Sequence, residues 1–333
     1  MQKKLKIGIT YDVKEDYCFE CTCWKHTDFS TLAEVSYVKG LFERFGHTVY
    51  LIGNYEKLYN DLASGVFPDV DIVFNIAEGL SSRNREGWIP SLLEMNHIPY
   101  SGSDAYGLSV TLSKVHTKII ANHLGIPTPQ YCTISSLLDI QSAPQKVPGP
   151  WVLKPNYEGS SSGIALAHSE KELKRNAQYL LEEYRQTIVC ETYIPGKEYN
   201  VALLYDGDKT TAIGTVEVVR KDGTEIGIFG AQDKSTSTCT KIPANLPGKT
   251  EYLLRDAAIM LHRFIGCLDY NRADFRVRND GKVFFLELNP LPSIDDESGY
   301  AKCCEYNGYD MASVLNIIVH NALNRFQNGF FQI

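Results

Sequence analysis

Residues 272–289 carry the most chemically specific pattern in the chain. They read Arg-Ala-Asp-Phe-Arg-Val-Arg, a turn at Asn279-Asp280-Gly281-Lys282, then Val-Phe-Phe-Leu-Glu-Leu-Asn. Asp280-Gly281 is a strong two-residue hairpin turn, because glycine tolerates the positive φ such turns require. A turn there sets Asp274 opposite Glu287 and Arg272 opposite Asn289. Side chains alternate along a strand, so these four share one face. Ala273, Phe275, Val277, Phe284, Leu286 and Leu288 take the other, a core face. Like charges set opposite each other destabilise a sheet unless something sits between them. A hard divalent cation does this with oxygen ligands such as Asp, Glu and the Asn amide. A solvated strand face laced with salt bridges would hold the same acids. The flanking Arg272 and Asn289, and the closing Pro290-Leu291-Pro292, point instead to a magnesium site beside an anion-binding arginine.

Three other stretches bear on chemistry. Lys154-Pro-Asn-Tyr-Glu158-Gly159-Ser160-Ser161-Ser162-Gly163 follows a strand-like Trp-Val-Leu. A lysine leaving a strand toward a Gly/Ser loop supplies a cation and exposed N–H groups, the ingredients of a phosphate cradle. The lysine precedes the glycines, so this is not a Walker loop. Cys190-Glu191-Thr-Tyr-Ile194-Pro-Gly-Lys-Glu198 reads either as a hairpin with surface glutamates or as an adenine and ribose contact. Glu78-Gly-Leu-Ser-Ser-Arg83-Asn-Arg85-Glu86 follows the apolar run Ile72–Ile76, where α/β sheets place ligands. Glu78, Arg83, Arg85 and Glu86 are therefore candidate substrate contacts. Cys18, Cys21, Cys23 and His26 could bind zinc, but their spacing is tight and no second cluster accompanies them. A mobile loop over the active site is the favoured role for that segment.

The elements that must position these residues follow from periodicity. Strands are expected at 5–11, 48–52, 72–74 and 98–100, with helices at 32–45, 55–63 and 88–95. That alternation predicts a parallel, doubly wound first lobe, 1–102. A helix over 113–124 stops at Gly125-Ile-Pro-Thr-Pro129. The strand Trp151–Lys154, a helix over 170–185 and a hairpin pairing 188–194 with 198–205 complete a central lobe, 103–210. A C-terminal lobe, 211–333, holds the opening hairpin and a last helix over 311–326. The fold class is α/β with α+β lobes.

The chain has 333 residues, 44% hydrophobic and 22% charged, as suits a globular protein of several lobes. Its net charge of −7 argues against nucleic-acid and anionic-membrane partners. No apolar run approaches spanning length and the start lacks a signal-peptide pattern, so a cytoplasmic location is expected. Nine cysteines, mostly in apolar contexts, fit reduced thiols.

The order of motifs is that of an ATP-grasp enzyme: Lys114, Lys154 with its Gly/Ser loop, Glu191 to Glu198, Arg272/Asp274, Glu287/Asn289. From about residue 70 to 320 the chain resembles the D-alanine–D-alanine ligase family. Pro99-Tyr-Ser-Gly-Ser103, Gly266-Cys-Leu-Asp-Tyr and Leu286-Glu-Leu-Asn-Pro-Leu-Pro292 support the match. The resemblance implies an ATP-grasp fold of three lobes. It implies an ATP-dependent ligase that joins a carboxylate to an amine through an acyl phosphate, with amino acid or peptide substrates. Lys114 and Lys154 would then contact the ATP phosphates, Ser160, Ser161 and Ser162 would sit on the loop over the γ-phosphate, and Glu158 would belong to the nucleotide site. Ser160 and Lys234 would act at the reacting centre, and Arg272 would stabilise the tetrahedral intermediate. Glu191, Tyr193 and Ile194 would frame adenine, and Glu198 the ribose. Asp274, Glu287 and Asn289 would hold two magnesium ions, and Ser298 the acceptor's carboxylate. Homodimers are common in the family.

The donor end departs from the family. The glycine-rich segment after the first strand, and its glutamate, are replaced by Tyr11-Asp12-Val13-Lys14-Glu15-Asp16-Tyr17; the histidine-glycine is Glu78-Gly79; the tyrosine after the closing-loop lysine is Ser235. These changes favour a ligase with a rebuilt donor pocket. A cell-wall D-alanine–D-alanine ligase is the runner-up, and a non-catalytic ATP-binding regulator the alternative from another class.

Overall fold

The computed structural model describes residues 3–17, 27–222 and 238–329. Lys234, Ser235 and the Cys18–His26 cluster lie outside the described residues. The first lobe is built on β1 (Lys6–Tyr11), β2 (Thr48–Gly53) and β3 (Ile72–Ile76), a parallel sheet in the order β2-β1-β3. Parallel strands need crossovers, and α1 (Leu32–Glu43) and α2 (Tyr55–Ser64) supply them. A reciprocal capping box between Thr31 and Glu34 starts α1, and Asn54 caps α2. After α3 (Trp88–Met95), the strand expected at 98–100 is a single bridge from Tyr100 to Val73.

Two antiparallel sheets follow. β4 (Tyr131–Ile134), β5 (Trp151–Pro155), β6 (Ala165–Ala167) and β7 (Ile188–Thr192) form the first, in the order β4-β7-β5-β6. Helices α6 (Leu137–Lys146) and α7 (Glu170–Tyr184) cover it, with Leu153, Leu173 and Ile188 fully buried between them. β8 (Lys197–Tyr205), β9 (Thr210–Arg220), β10 (Cys239–Pro243), β11 (Tyr270–Val277) and β12 (Val283–Asn289) form the second, in the order β10-β9-β8-β11-β12. Its core face packs on α5 (Lys114–His123), which follows α4 (Ala105–Leu112), and on α8 (Gly248–Ile265). α9 (Gly299–Tyr306) and α10 (Met311–Gln327) join its other face to the parallel sheet. Among the described residues, no helix is long and apolar enough to cross a membrane.

The hairpin expected between 188–194 and 198–205 does not form. β7 and β8 belong to different sheets, and the chain crosses between them at Pro195-Gly196. Gly196 has φ +131 there, and a Cβ on it would lie 2.2 Å from the Val277 carbonyl oxygen. A turn-forming dipeptide thus serves as a close crossing, which local sequence cannot distinguish from a hairpin.

The β11–β12 hairpin does form, with Asp274 opposite Glu287 and Arg272 opposite Asn289. Its turn is one residue longer than expected. Arg278 N donates to Lys282 O, and Gly281, with φ +80, sits in the left-handed position between them. The register beyond the turn is therefore Val277 to Val283, and a bulge between Asp274 and Phe275 on β11, opposite Leu286, restores the expected pairing at the acids. The bulge also changes the faces: Val283 and Phe285, rather than Phe284 and Leu286, join Ala273, Phe275, Val277 and Leu288 in the core.

His262 on α8 gives this fold a measurable pH dependence. Its Nδ1 is 2.7 Å from the Asn271 amide nitrogen, and burial pushes its pKa down to about 4, with Arg263 adding to the shift. The unfolded imidazole titrates near 6.5, so as pH falls the unfolded chain takes up the proton first. The stability contributed is complete above about pH 6.5 and is lost toward pH 4, about 3 kcal/mol in all. Urea midpoints of the wild type are expected to fall more steeply through that window than those of His262→Gln. Equal slopes would contradict the assignment.

Candidate active site

Residues of both antiparallel sheets line a cleft: Val152, Lys154 and Glu191 on one side, Glu198, Asp274 and Glu287 on the other. It opens into a cavity of ≈ 530 Å³ that reaches the first lobe at Glu78 and α9 at Ser298.

At one end, Glu191 on β7 is clamped by two lysines, Lys118 and Lys154, each with Nζ at 2.7 Å. Burial opposes the charge on Glu191, but the lysines outweigh it and hold the carboxyl below its usual range. Burial pushes Lys118 down to about 8, Glu191 opposing. Thr128 accepts from Lys118 Nζ and donates to the Phe285 carbonyl, which ties this clamp to β12. Beyond Glu191 the crossing segment is held by Arg276. Its Nη1 donates to the carbonyls of Ile194 (3.1 Å) and Gly196 (3.3 Å), its guanidinium lies over the Tyr193 ring, and Nη2 is 3.5 Å from Glu198. Burial raises the pKa of Glu198, with Arg276 opposing.

At the centre, Arg272 grips Asp274 through two 2.8 Å hydrogen bonds, from Nε to Oδ1 and from Nη2 to Oδ2. Asn200 on β8 donates to the same carboxylate at 2.7 Å. Gly299, at the start of α9, lets that helix approach closely, since a Cβ there would stand 2.3 Å from the Asn200 amide oxygen. Lys114 Nζ donates to the Glu158 carbonyl and lies 3.6 Å from Glu287. Asn289 Oδ1 accepts from Leu291 N. Among the described residues, no three His, Cys, Asp or Glu side chains converge as a metal cluster. The facing set is two carboxylates and an amide oxygen, all hard donors of the kind magnesium takes, and Arg272 is the cation on Asp274 in this conformation.

The loop Gly159–Gly163 arches over the cavity, with Ser160 and Ser161 both at positive φ (47° and 61°) and both lining it. Ser162 is turned away: its hydroxyl pairs with the Tyr184 hydroxyl at 3.0 Å, and it does not line the cavity. Glu158 accepts from Gln186 Nε2 at 2.6 Å, and burial raises its pKa. Ser298 caps α9 by accepting from Ala301 N.

At the first-lobe end, Arg85 is buried among acids. Nη2 donates to Asp28 at 2.8 Å, and Nη1 to the Glu78 carbonyl at 3.0 Å and the Glu78 carboxylate at 3.4 Å. Gly159 N also donates to Asp28. Gly79 must be glycine: its φ is +67 and a Cβ would lie 2.5 Å from the Arg85 carbonyl oxygen. Glu78 and Glu86 line the cavity; Arg85 lies behind them, and Arg83 is exposed and outside it. The cavity wall is thus formed by Glu78 and Glu86 and not by Arg83 or Arg85.

Asp28, Lys118, Asn200 and Arg276 were not singled out from sequence. Lys118 lies four residues after Lys114 on one helix face. Asn200 and Arg276 lie two residues after Glu198 and Asp274 on their strand faces. Those spacings could have found them; nothing local marks Asp28.

Comparison with known proteins shows the family and the fold. Residues 120–320 match the family described as D-ala D-ala ligase C-terminus. The D-alanine–D-alanine ligase of Aquifex aeolicus is 32% identical over 70% of this chain and 77% of its own. The protein y4sG of Sinorhizobium fredii is 30% identical over 88% of each chain. The fold is that of the D-alanine–D-alanine ligase from Bacillus anthracis, solved in complex with ATP, with a TM-score of 0.75 at 19% identity over 97% of this chain and 99% of that one. The chain belongs to the D-alanine–D-alanine ligase family of ATP-grasp ligases.

Proposed function

We propose that the chain activates a carboxylate with ATP and joins it to an amine, with an amino acid as the donor. The observation that carries this reading is the convergence of Lys114, Lys154 and Arg272 with the facing Asp274 and Glu287 on one cleft. ATP would lie in that cleft, its adenine against Tyr193, Ile194 and Glu191, its ribose at Glu198 and its phosphates between Lys114, Lys154 and the Ser160–Ser161 loop. Asp274, Glu287 and Asn289 would hold magnesium, which when bound offsets charge on the phosphate oxygens. The donor carboxylate would enter from the Glu78–Glu86 end and attack the γ-phosphate. Arg272 would offset the oxyanion formed as the amine attacks the acyl phosphate, and Ser298 would orient the acceptor. Water exclusion by the Gly159–Gly163 loop would protect the acyl phosphate from hydrolysis. Lys234 is kept as the proposed closing-loop lysine. We keep 1–102, 103–210 and 211–333 as the proposed lobes, the central one lending β8 to the C-terminal sheet.

The relatives' names speak of D-alanine as substrate. The Glu78–Arg85–Asp28 cluster supports a different donor here. Magnesium-dependent ADP release stimulated by particular amino acids or dipeptides is the expected result of a substrate panel. Stimulation by none would favour a nucleotide-binding regulator, and efficient dipeptide formation from D-alanine alone would contradict the rebuilt donor pocket.

A further inference from the structure

Glu86 is the least compensated acid in the cavity. Its side chain is 9% exposed and lines the cavity wall. Among the described residues its nearest charged partner atom is Nη1 of Arg85 at 3.7 Å, beyond hydrogen-bonding reach. Arg85 is already committed, to Asp28 and to the Glu78 carbonyl. A buried carboxylate without a donor is costly unless a ligand supplies one.

The charge around it is unbalanced in the same direction. Glu86 lies within electrostatic reach of Asp28, Glu78 and Glu158, with Arg85 as the shared facing cation and Lys114 acting on Glu86 and Glu158. Among the described residues, four carboxylates against two cations leave two negative charges when all are ionised. Asp12, behind Glu78, accepts from Gly79 N and the Tyr17 hydroxyl and does not line the cavity. Burial pushes Glu86 up to about 7, Arg85 opposing, and raises Glu78 as well. Burial thus disfavours the charged form of both acids, and a cationic group docked on them would favour it.

An ordinary amino acid donor brings one ammonium group to this end, its carboxylate being turned toward the phosphates. That neutralises half of the excess. We propose that the donor is a basic amino acid, whose side-chain ammonium or guanidinium docks on Glu86 and Glu78 while its α-ammonium meets Asp28. This rests on the ligase reading above and names the donor class within it. The cluster is assigned to the donor rather than the acceptor because it adjoins the Ser160–Ser161 loop, with Gly159 N on Asp28.

The test uses the full chain with magnesium and ATP, and hydroxylamine as acceptor, so that the acyl phosphate is trapped as a hydroxamate with release of phosphate. Ornithine is compared with norvaline and lysine with norleucine, in both enantiomers. The basic donor is expected to exceed its neutral isostere in kcat/KM by about 30-fold or more, the factor that loss of a charge-assisted hydrogen bond brings in a desolvated site. Glu86→Gln is expected to bring the ratio within a few-fold, and Glu86→Asp to keep part of it. The wild-type ratio decides the matter even where a variant fails to fold. Equal or better use of the neutral isosteres would overturn the basic-donor assignment and leave the ligase reading standing. Hydroxamate and ADP from no donor in either series would overturn the basic-donor assignment, and silence from the wider amino-acid and dipeptide panel as well would overturn the ligase reading with it.

Discussion

Arg272→Met is expected to slow turnover by about 10³-fold, with ATP affinity changed far less, because its charge is needed most where the oxyanion forms. Burial works against the guanidinium, but Asp274 outweighs it and keeps the group protonated. Arg272 thus carries its charge into the cavity before any substrate arrives. Arg272→Lys keeps the charge but loses the two-pronged grip on Asp274, so a loss of about 10²-fold is expected. Single-turnover kinetics separate this from a binding defect, and melting curves show whether Asp274, left with Asn200 alone, weakens the fold. A methionine variant with near-normal kcat would remove Arg272 from the chemistry.

Glu191→Gln is expected to destabilise the protein by about 3–5 kcal/mol, the usual consequence of removing one partner of a buried ion pair. Lys118 is fully buried and Lys154 nearly so, and both depend on this carboxylate. With glutamine at 191, each lysine keeps burial and loses its counter-charge, so Lys118 is expected to shed its proton near neutral pH. ATP affinity should fall too, because Glu191 and Lys154 line the same cleft. Lys118→Met in the glutamine background is expected to restore part of the stability by deleting the uncompensated charge. Urea unfolding of the two single variants and the double variant gives the coupling directly. Additive effects would contradict the clamp.

The acids of β11 and β12 were legible because strand alternation and a Gly-containing turn fix which side chains share a face. Even there, a longer turn and a compensating bulge stood in for the simple hairpin, and Phe284 and Phe285 exchanged faces. Pro195-Gly196 misled for a physical reason: the dipeptide specifies a sharp bend, while the partner of the next strand is set by β11, some seventy residues on. The parallel lobe was visible from its alternating strand-like and helical apolar runs. The donor end was only half visible. Glu78 and Glu86 line the cavity, as their position after a buried strand suggested, but the pairing of Arg85 with Asp28 joins two loops far apart in sequence, and no local pattern encodes it.

The central claim is that a donor carboxylate oxygen attacks the γ-phosphate of ATP in the cleft between Lys154 and Asp274. It is tested most directly by following heavy-oxygen label from a donor carboxylate through one turnover with magnesium and ATP. One labelled oxygen is expected to appear in the released phosphate, carried there by the acyl phosphate. Release of ADP with all of the label kept in the donor or its amide would contradict the account.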